Sequence, residues 1–210
     1  MQRIEILKGP QGTLFGKNAA AGVVNLIPNA PEQSDEGFIK ATLGDYSLQR
    51  YEAMANKALS DTFAVRLNLM SNQRDSYVNN VYPDYQGEEL GNTNHQAARL
   101  AALWQVSADT KVQFSYDWDD LDQGYSASIG LSPYAYSMNP LDRTIENDVI
   151  DGHERRDMSA FSLKIMHDFN DQWSGKLISS KRQWEVSGRD DTDGTADKTR
   201  YLDTINFEDS

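Results

Sequence analysis

The sequence predicts an all-β protein, built of antiparallel strands of the kind that cross a membrane as a β-barrel. Three observations favour this fold class. Several segments alternate between apolar and polar residues, short and long connections alternate along the chain, and aromatic residues recur at two levels of the strands. No stretch of the 210 residues approaches the roughly 18–20 consecutive apolar residues of a membrane helix. Strands that cross a membrane in a barrel need only alternate between apolar and polar residues.

Composition narrows the classes of partner and site. The net charge of −12 argues against binding to nucleic acid or anionic lipid through bulk charge. The absence of cysteine excludes disulfides, thiolate metal sites and a thiol nucleophile. Aromatic residues make up 10% of the chain, which is typical of a folded protein rather than a disordered one.

The first 30 residues predict two short strands joined by a glycine-rich connection. The strands are expected at 3–8 and 22–27, where apolar and β-branched residues cluster. The connection is not a phosphate-binding loop, because only three residues separate Gly12 from Gly16 and Asn18 stands where a Ser or Thr is needed.

Beyond residue 30 the alternation is clearest in two segments. In 63–70 the odd positions are apolar and the even positions include Arg66 and Asn68. In 111–119 the even positions are apolar and the odd positions are polar, which a helical period of 3.6 residues cannot produce. We expect the apolar sets to face lipid and the polar sets to face the lumen. We predict strands at 36–45, 48–59, 62–76, 93–106, 110–121, 155–169, 172–188 and 199–208.

Every second connection between these strands is tight, and three of the other four are long, the exception being the short connection 44–47. Tight turns are predicted at 60–61, 107–109 and 170–171, and long connections at 77–92, 122–152 and 189–198. Outer-membrane barrels have short periplasmic turns and longer extracellular loops, so this asymmetry predicts which end is outside.

Aromatic placement agrees with that assignment. Phe63, Trp104, Phe169 and Trp173 lie within three residues of a predicted tight turn. Trp118 lies about eight residues up its strand, which is roughly 20 Å higher and near the far edge of an apolar band of about 25 Å.

One segment resembles a known family. The run from Ile4 to Gly16, followed by Asn18-Ala19 and Gly22-Val23-Val24-Asn25, resembles the end of the plug domain of TonB-dependent outer-membrane receptors. The residues that carry the motif are Gly9, Pro10, Gln11, Gly12, Gly16, Asn18, Gly22 and Asn25.

The resemblance implies a division into the C-terminal end of a plug at 1–30 and the N-terminal part of a barrel at 31–210. The barrel part would be about eight of some 22 strands. We expect the rest of the plug, the TonB box and any signal peptide to lie outside this chain.

The resemblance also implies a function, a location and partners. The location is the bacterial outer membrane. The function is TonB-energised uptake of a scarce ligand, with a ferric siderophore first and cobalamin or an oligosaccharide still open. The partners are the TonB–ExbB–ExbD complex through a segment outside this chain, outer-membrane lipid and the small ligand, with no cofactor and no nucleic acid.

The residues indicate no catalytic or metal site, and we expect the protein not to be an enzyme. His95, His153 and His167 are not spaced as metal ligands. The acidic run at 190–194 is not a calcium loop, because Arg189 and Arg200 stand at its first and twelfth ligand positions. We expect the carboxylates of 117 and 119 to face the lumen, beside charges such as Arg66 and Lys164.

The connection 122–152 is the candidate recognition element. It contains Tyr125, Tyr134 and Tyr136 among several serines, a mixture suited to adaptable ligand contact. An ordinary ordered surface loop fits the same composition.

Two other architectures stay open at this point. One is a small, complete eight-stranded outer-membrane barrel with a structural or adhesive role. The other is a soluble periplasmic β-domain that binds a ligand, since a soluble sandwich also alternates.

Overall fold

The structure is a computed structural model of the 210-residue chain, and it describes residues 1–15, 19–129, 136–137, 139, 141–191, 194–196 and 201–209. In chain order the elements are β1 (Arg3–Lys8), α1 (Gly12–Phe15), β2 (Gly22–Ile27), β3 (Glu36–Gly44), β4 (Leu48–Ser60), β5 (Phe63–Arg74), β6 (Asn79–Asn80), β7 (Thr93–Ser107), β8 (Thr110–Gln123), β9 (Thr144–Ile145), β10 (His153–Asn170), β11 (Trp173–Asp191) and β12 (Tyr201–Asp209). Among the described residues, no helix has the length and apolar character needed to traverse a membrane.

The main body is one eight-stranded antiparallel sheet in the order β12-β11-β10-β8-β7-β5-β4-β3. The predicted fold class is confirmed. Each predicted strand of this sheet begins and ends within three residues of the corresponding observed strand. The end strands are β3 and β12, so the described sheet is open rather than a closed eight-stranded barrel.

From β5 to β10 the sheet has one mainly apolar and one mainly polar face, as the period of two requires. Strand β11 departs from this pattern, because Lys181 is aligned with Phe161 on the apolar face and Trp184 lies on the other. Cross-strand register aligns Leu67 with Leu100, Leu100 with Tyr116, and Tyr116 with Phe161 on the apolar face. These side chains are exposed, with Leu67 at 39% and Tyr116 at 44%. The neighbouring row on the polar face includes Arg66 at 5% and Ser115 at 6%. Low exposure of such small and polar residues fits the concave side of a curved sheet.

The two ends of the sheet differ in their connections. The turn end carries the tight connections 61–62, 108–109 and 171–172, while the loop end carries 75–92, 124–152 and 192–200. The short connection 45–47 also lies at the loop end, and two of its residues have positive φ, Tyr46 at 59° and Ser47 at 53°. The predicted alternation of connection lengths is therefore present.

The opening segment forms its own two-stranded antiparallel sheet of β1 and β2. A Cβ on Gly22, whose φ is +150°, would lie 2.6 Å from the carbonyl oxygen of Leu7, so the close pairing of these strands requires glycine here. The one-turn helix α1 in the connection was not predicted. The segment after β2 attaches to β4, because the buried Asn56 amide donates to the carbonyls of Glu32 at 2.8 Å and Ser34 at 2.6 Å.

Candidate functional site

The long connections at the loop end pack into a structured unit, which we call the loop block (75–92, the described residues of 124–152, and the end of β11). Its small apolar core consists of Leu90, Tyr125 and Ile145, with Val78 and Tyr85 packed against it. Burial of apolar side chains between two connections gives them a defined relative position, which isolated surface loops lack.

Asn147 is the polar centre of the loop block and is fully buried. Its Nδ2 donates to the Tyr125 hydroxyl at 2.6 Å, and its Oδ1 accepts from the Val149 backbone N–H at 3.1 Å. Its backbone exchanges two hydrogen bonds with the Asn80 side chain, at 3.0 and 3.1 Å. The Asn80 side chain, bound to the Asn147 backbone, thus joins the first long connection to the second.

Tyr125 links the same unit to β11. Its hydroxyl accepts a second hydrogen bond, of 2.8 Å, from the backbone N–H of Asp191. Burial raises the pKa of Tyr125 to about 12, so the hydroxyl stays neutral at physiological pH. The neutral phenol can sit in this interior without the cost of a buried charge.

Backbone hydrogen bonds reinforce the block. Gln86 N–H donates to the Ile150 carbonyl at 2.6 Å, and Glu88 N–H donates to the Gly152 carbonyl at 3.0 Å. The two-residue strands β6 and β9 pair in parallel, a pairing that local alternation does not predict. Most of these contacts join residues more than 50 positions apart.

Charged side chains cover the polar face below the loop block. Asp119 accepts from Arg156 at 2.7 Å and lies 2.7 Å from His95 Nε2, while Arg99 pairs with Asp117. Glu52 pairs with Lys40 at 3.2 Å and with Arg50 at 3.0 Å. Some of these side chains line a cleft of about 300 Å³, whose walls include Glu52, Arg99, Asp119 and Met158. The ion pairs make this face unsuited to contact with lipid.

The prediction that Asp117 and Asp119 lie beside Arg66 and Lys164 was wrong. Asp117 and Asp119 pair with Arg99, Arg156 and His95, whereas Arg66 pairs with Glu36 at 2.7 Å. Cross-strand register decides these partners, and register was not predicted from the sequence. Within the part of the chain that the structure describes, no group of three or more potential ligand side chains could hold a metal ion.

The predicted recognition tyrosines fall in different surroundings. Tyr136 is exposed at 55%, Tyr125 is buried at 6%, and Tyr134 lies outside the described residues. Contact between Tyr125 and a ligand stays a prediction. The contacts that Tyr125 makes in the structure are those of a packing residue. Sequence reasoning missed Asn147 and Asn80, since an isolated Asn in a loop carries no signal of burial.

The motif residues of the opening segment occupy the hairpin and its connection. Gly9 has a φ of +82°, and the Gln11 backbone N–H donates to the Ala19 carbonyl at 2.8 Å. Pro10 precedes that residue, Gly12 begins α1, and the Asn25 amide donates to Glu5 at 3.2 Å. Gly16 and Asn18 lie outside the described residues.

Comparison with known proteins gives a consistent set of relatives. No protein-family profile matches the chain. The ferrioxamine receptor of Yersinia enterocolitica is 24% identical over 181 residues, which is 86% of this chain and 24% of the receptor. The catecholate siderophore receptor Fiu of Escherichia coli K12 is 33% identical over 86 residues, or 39% of this chain and 11% of the receptor.

Solved structures agree on the fold. The ferric yersiniabactin uptake receptor FyuA of Yersinia pestis superposes with a TM-score of 0.74 at 22% identity, covering 89% of this chain and 29% of that one. The ferripyoverdine receptor of Pseudomonas aeruginosa superposes with a TM-score of 0.72 at 19% identity, covering 89% of this chain and 24% of that one. The chain spans about a quarter of the length of the ferrioxamine receptor.

These matches confirm the resemblance drawn from the opening motif. The matched relatives are transport receptors rather than enzymes, and they are located in the outer membrane of Gram-negative bacteria. The chain is thus a homologue of one part of the TonB-dependent outer-membrane siderophore receptors, with their fold and their location in the outer membrane.

Proposed function

We propose that this chain is part of a receptor that takes a ferric siderophore across the outer membrane with energy from the TonB–ExbB–ExbD complex. The observation that carries the proposal is the loop block, held together by Tyr125 and Asn147 over one end of a polar-faced transmembrane sheet. A rigid recognition surface above a hydrated wall suits capture of a polar ligand from outside.

The finer assignments belong to the same proposal. Residues 1–30 would be the end of the plug and residues 31–210 the first strands of the barrel. The motif residues Gly9 to Gly22 would shape the plug hairpin, and Tyr136 would meet the ligand at the exposed side of the loop block. The protein would bind and move its ligand without changing it chemically.

The siderophore class is preferred because the similar proteins are named as receptors for ferrioxamine, catecholates, yersiniabactin and pyoverdine. No contact in the described residues favours cobalamin or an oligosaccharide, and these become outcomes of the test.

The test is iron uptake in a bacterial strain that lacks its own siderophore receptors and expresses the gene encoding this chain. Radioactive ferrioxamine, a ferric catecholate and cobalamin are offered separately, with and without a functional tonB gene. We expect TonB-dependent accumulation of one iron complex and none of cobalamin. Uptake of cobalamin alone, or uptake that persists without TonB, would contradict the proposal.

A further inference from the structure

The segment between β2 and β3 is bound to the main sheet by a short strap, which we define as residues 32–35. Its main partner is Asn56 of β4, which is buried with 3% of its surface exposed. The Asn56 amide donates to the carbonyls of Glu32 at 2.8 Å and Ser34 at 2.6 Å, and its oxygen accepts from the Glu32 backbone N–H at 3.1 Å. One side chain therefore satisfies three backbone groups of the strap, as a neighbouring strand would.

The Asp35 carboxylate extends this attachment along β4. One of its oxygens pairs with Lys57, and the other accepts from the backbone N–H of Ala58 at 3.1 Å. Pairing between β3 and β4 begins at Glu36 opposite Asn56, so Ala58 lies beyond the paired part of β4. The Asp35 side chain thus takes the place of a strand carbonyl there.

The strap ends at a buried ion pair. Glu36, the first residue of β3, accepts from Arg66 of β5 at 2.7 Å, and the Arg66 side chain is only 6% exposed. Register places Glu36, Asn56 and Arg66 in one row across three strands. Withdrawal of Glu36 would leave a buried charge without its partner, which makes detachment at this point costly.

The opening hairpin (β1, β2 and their connection) has no such attachment. In the described residues 1–15 and 19–27, every hydrogen bond and ion pair joins two residues of the hairpin itself, such as Asn25 to Glu5. Its side chains Ile6 and Val24 are 65% and 64% exposed, so they add little apolar packing against the sheet. The polar attachment of this part of the chain to the sheet therefore lies in the strap.

The link between the opening hairpin and the strap is short and stiff. Pro28 and Pro31 bracket it, and Pro31 is fully buried. Proline fixes its own φ and restricts the preceding residue to extended conformations. A displacement of the hairpin would therefore reach the strap directly rather than being absorbed by slack chain.

We propose that the strap is a mechanical stop, which holds residues 32–36 on β4 and β5 when the opening hairpin is displaced. The hold on the sheet does not depend on the proposed function. Its role in transport does: in a TonB-energised receptor, a pull on the hairpin would end at Glu32. Movement would then be confined to the residues before the strap, and the pairing of β3 with β4 would be kept.

The test measures distances between pairs of nitroxide labels in protein purified from outer membranes and placed in lipid vesicles. The reference label is at Asp171→Cys, in the tight turn after β10, and the chain has no other cysteine. The second label is at Ser34→Cys in one protein, the strap pair, and at Val24→Cys in another, the hairpin pair. Four strand spacings of about 4.8 Å separate β4 from β10, so the strap label lies roughly 20 Å from the reference, a distance that double electron–electron resonance can measure.

We expect urea to broaden the distances of the hairpin pair first, and those of the strap pair at a concentration about 1 M higher. Asn56→Asp keeps the size of the side chain but removes both donated bonds, so it should lower the strap midpoint to the hairpin midpoint. Asn68→Asp, on the same face of β5, is the matched control and should shift neither midpoint. Broadening of both pairs together in the parent protein, or an unchanged strap midpoint in Asn56→Asp, would overturn the proposal.

Lys57→Met is the second variant, for the case in which Asn56→Asp does not assemble in the membrane. It removes the ion pair with Asp35 at a side chain that is 59% exposed, so it should lower the strap midpoint by a smaller amount. A strap midpoint that does not move in Lys57→Met would then count against the stop. The measurement needs neither ligand nor TonB, so a firm strap in a protein without iron uptake would keep the stop and remove only its transport role. A strap that is released with the hairpin, in a protein with TonB-dependent uptake, would remove the stop and keep the proposed function.

Discussion

Asn147 is the residue on which the packing of the loop block depends most directly. Its amide contacts Tyr125 and Val149, and its backbone is held by Asn80. Buried polar groups that lose their partners retain the desolvation cost without the compensating bond. The connection between loops therefore rests on a few buried polar side chains as much as on the small apolar core.

Replacing Asn147 with Ala should loosen the loop block by about 1–3 kcal/mol, because the Tyr125 hydroxyl and the Val149 backbone N–H lose their buried partner. Hydrogen exchange of the amides in 76–92 and 141–152 is the measurement, with faster exchange expected there and none in β7 or β8. Asn139→Ala is the control, since Asn139 is exposed in the same connection. Unchanged exchange in Asn147→Ala would contradict the role given to this residue.

At the scale of elements, the strand faces divide the sheet between lipid and lumen. The neighbours Leu67 and Asn68 of β5 point to opposite faces, and Leu67 is aligned with Leu100 of β7 on the apolar one. Because a strand has a period of two, a single position separates the two environments. This gives the membrane orientation a direct energetic test.

Leu67→Arg should destabilise the folded protein in lipid by roughly 2–4 kcal/mol if Leu67 lies near the bilayer midplane. Asn68→Arg should cost much less, because its face is polar and away from the hydrocarbon, and the like-charge repulsion from the opposite Arg99 is reduced by the pairing of Arg99 with Asp117. The measurement is urea unfolding in lipid vesicles for the two variants side by side. Equal losses of stability in the two variants would contradict the assignment of Leu67 to the lipid face and Asn68 to the lumen face.

For the whole molecule, the question is which end of the sheet is outside the cell. The loop end carries the connections 75–92 and 124–152, and the turn end carries 108–109. We propose the loop end as extracellular, in line with the usual asymmetry of outer-membrane barrels.

Single cysteines can test this topology cleanly, because the chain has none. A membrane-impermeant thiol reagent on intact cells should label Leu141→Cys, where the side chain is 85% exposed, and should not label Asp109→Cys. Both variants should react once the outer membrane is permeabilised. Labelling of Asp109→Cys alone on intact cells would invert the topology and the proposed position of the loop block.

The sequence by itself determined the strands, their alternating faces and the alternation of connection lengths. These features follow from local patterns, since a period of two and turn residues act over a few positions. The opening motif also indicated the family. The tertiary structure alone decided that Asp119 meets Arg156 and His95, and that Asn147 meets Tyr125. Those meetings depend on strand register and on contacts between residues far apart in the chain, which no local pattern encodes.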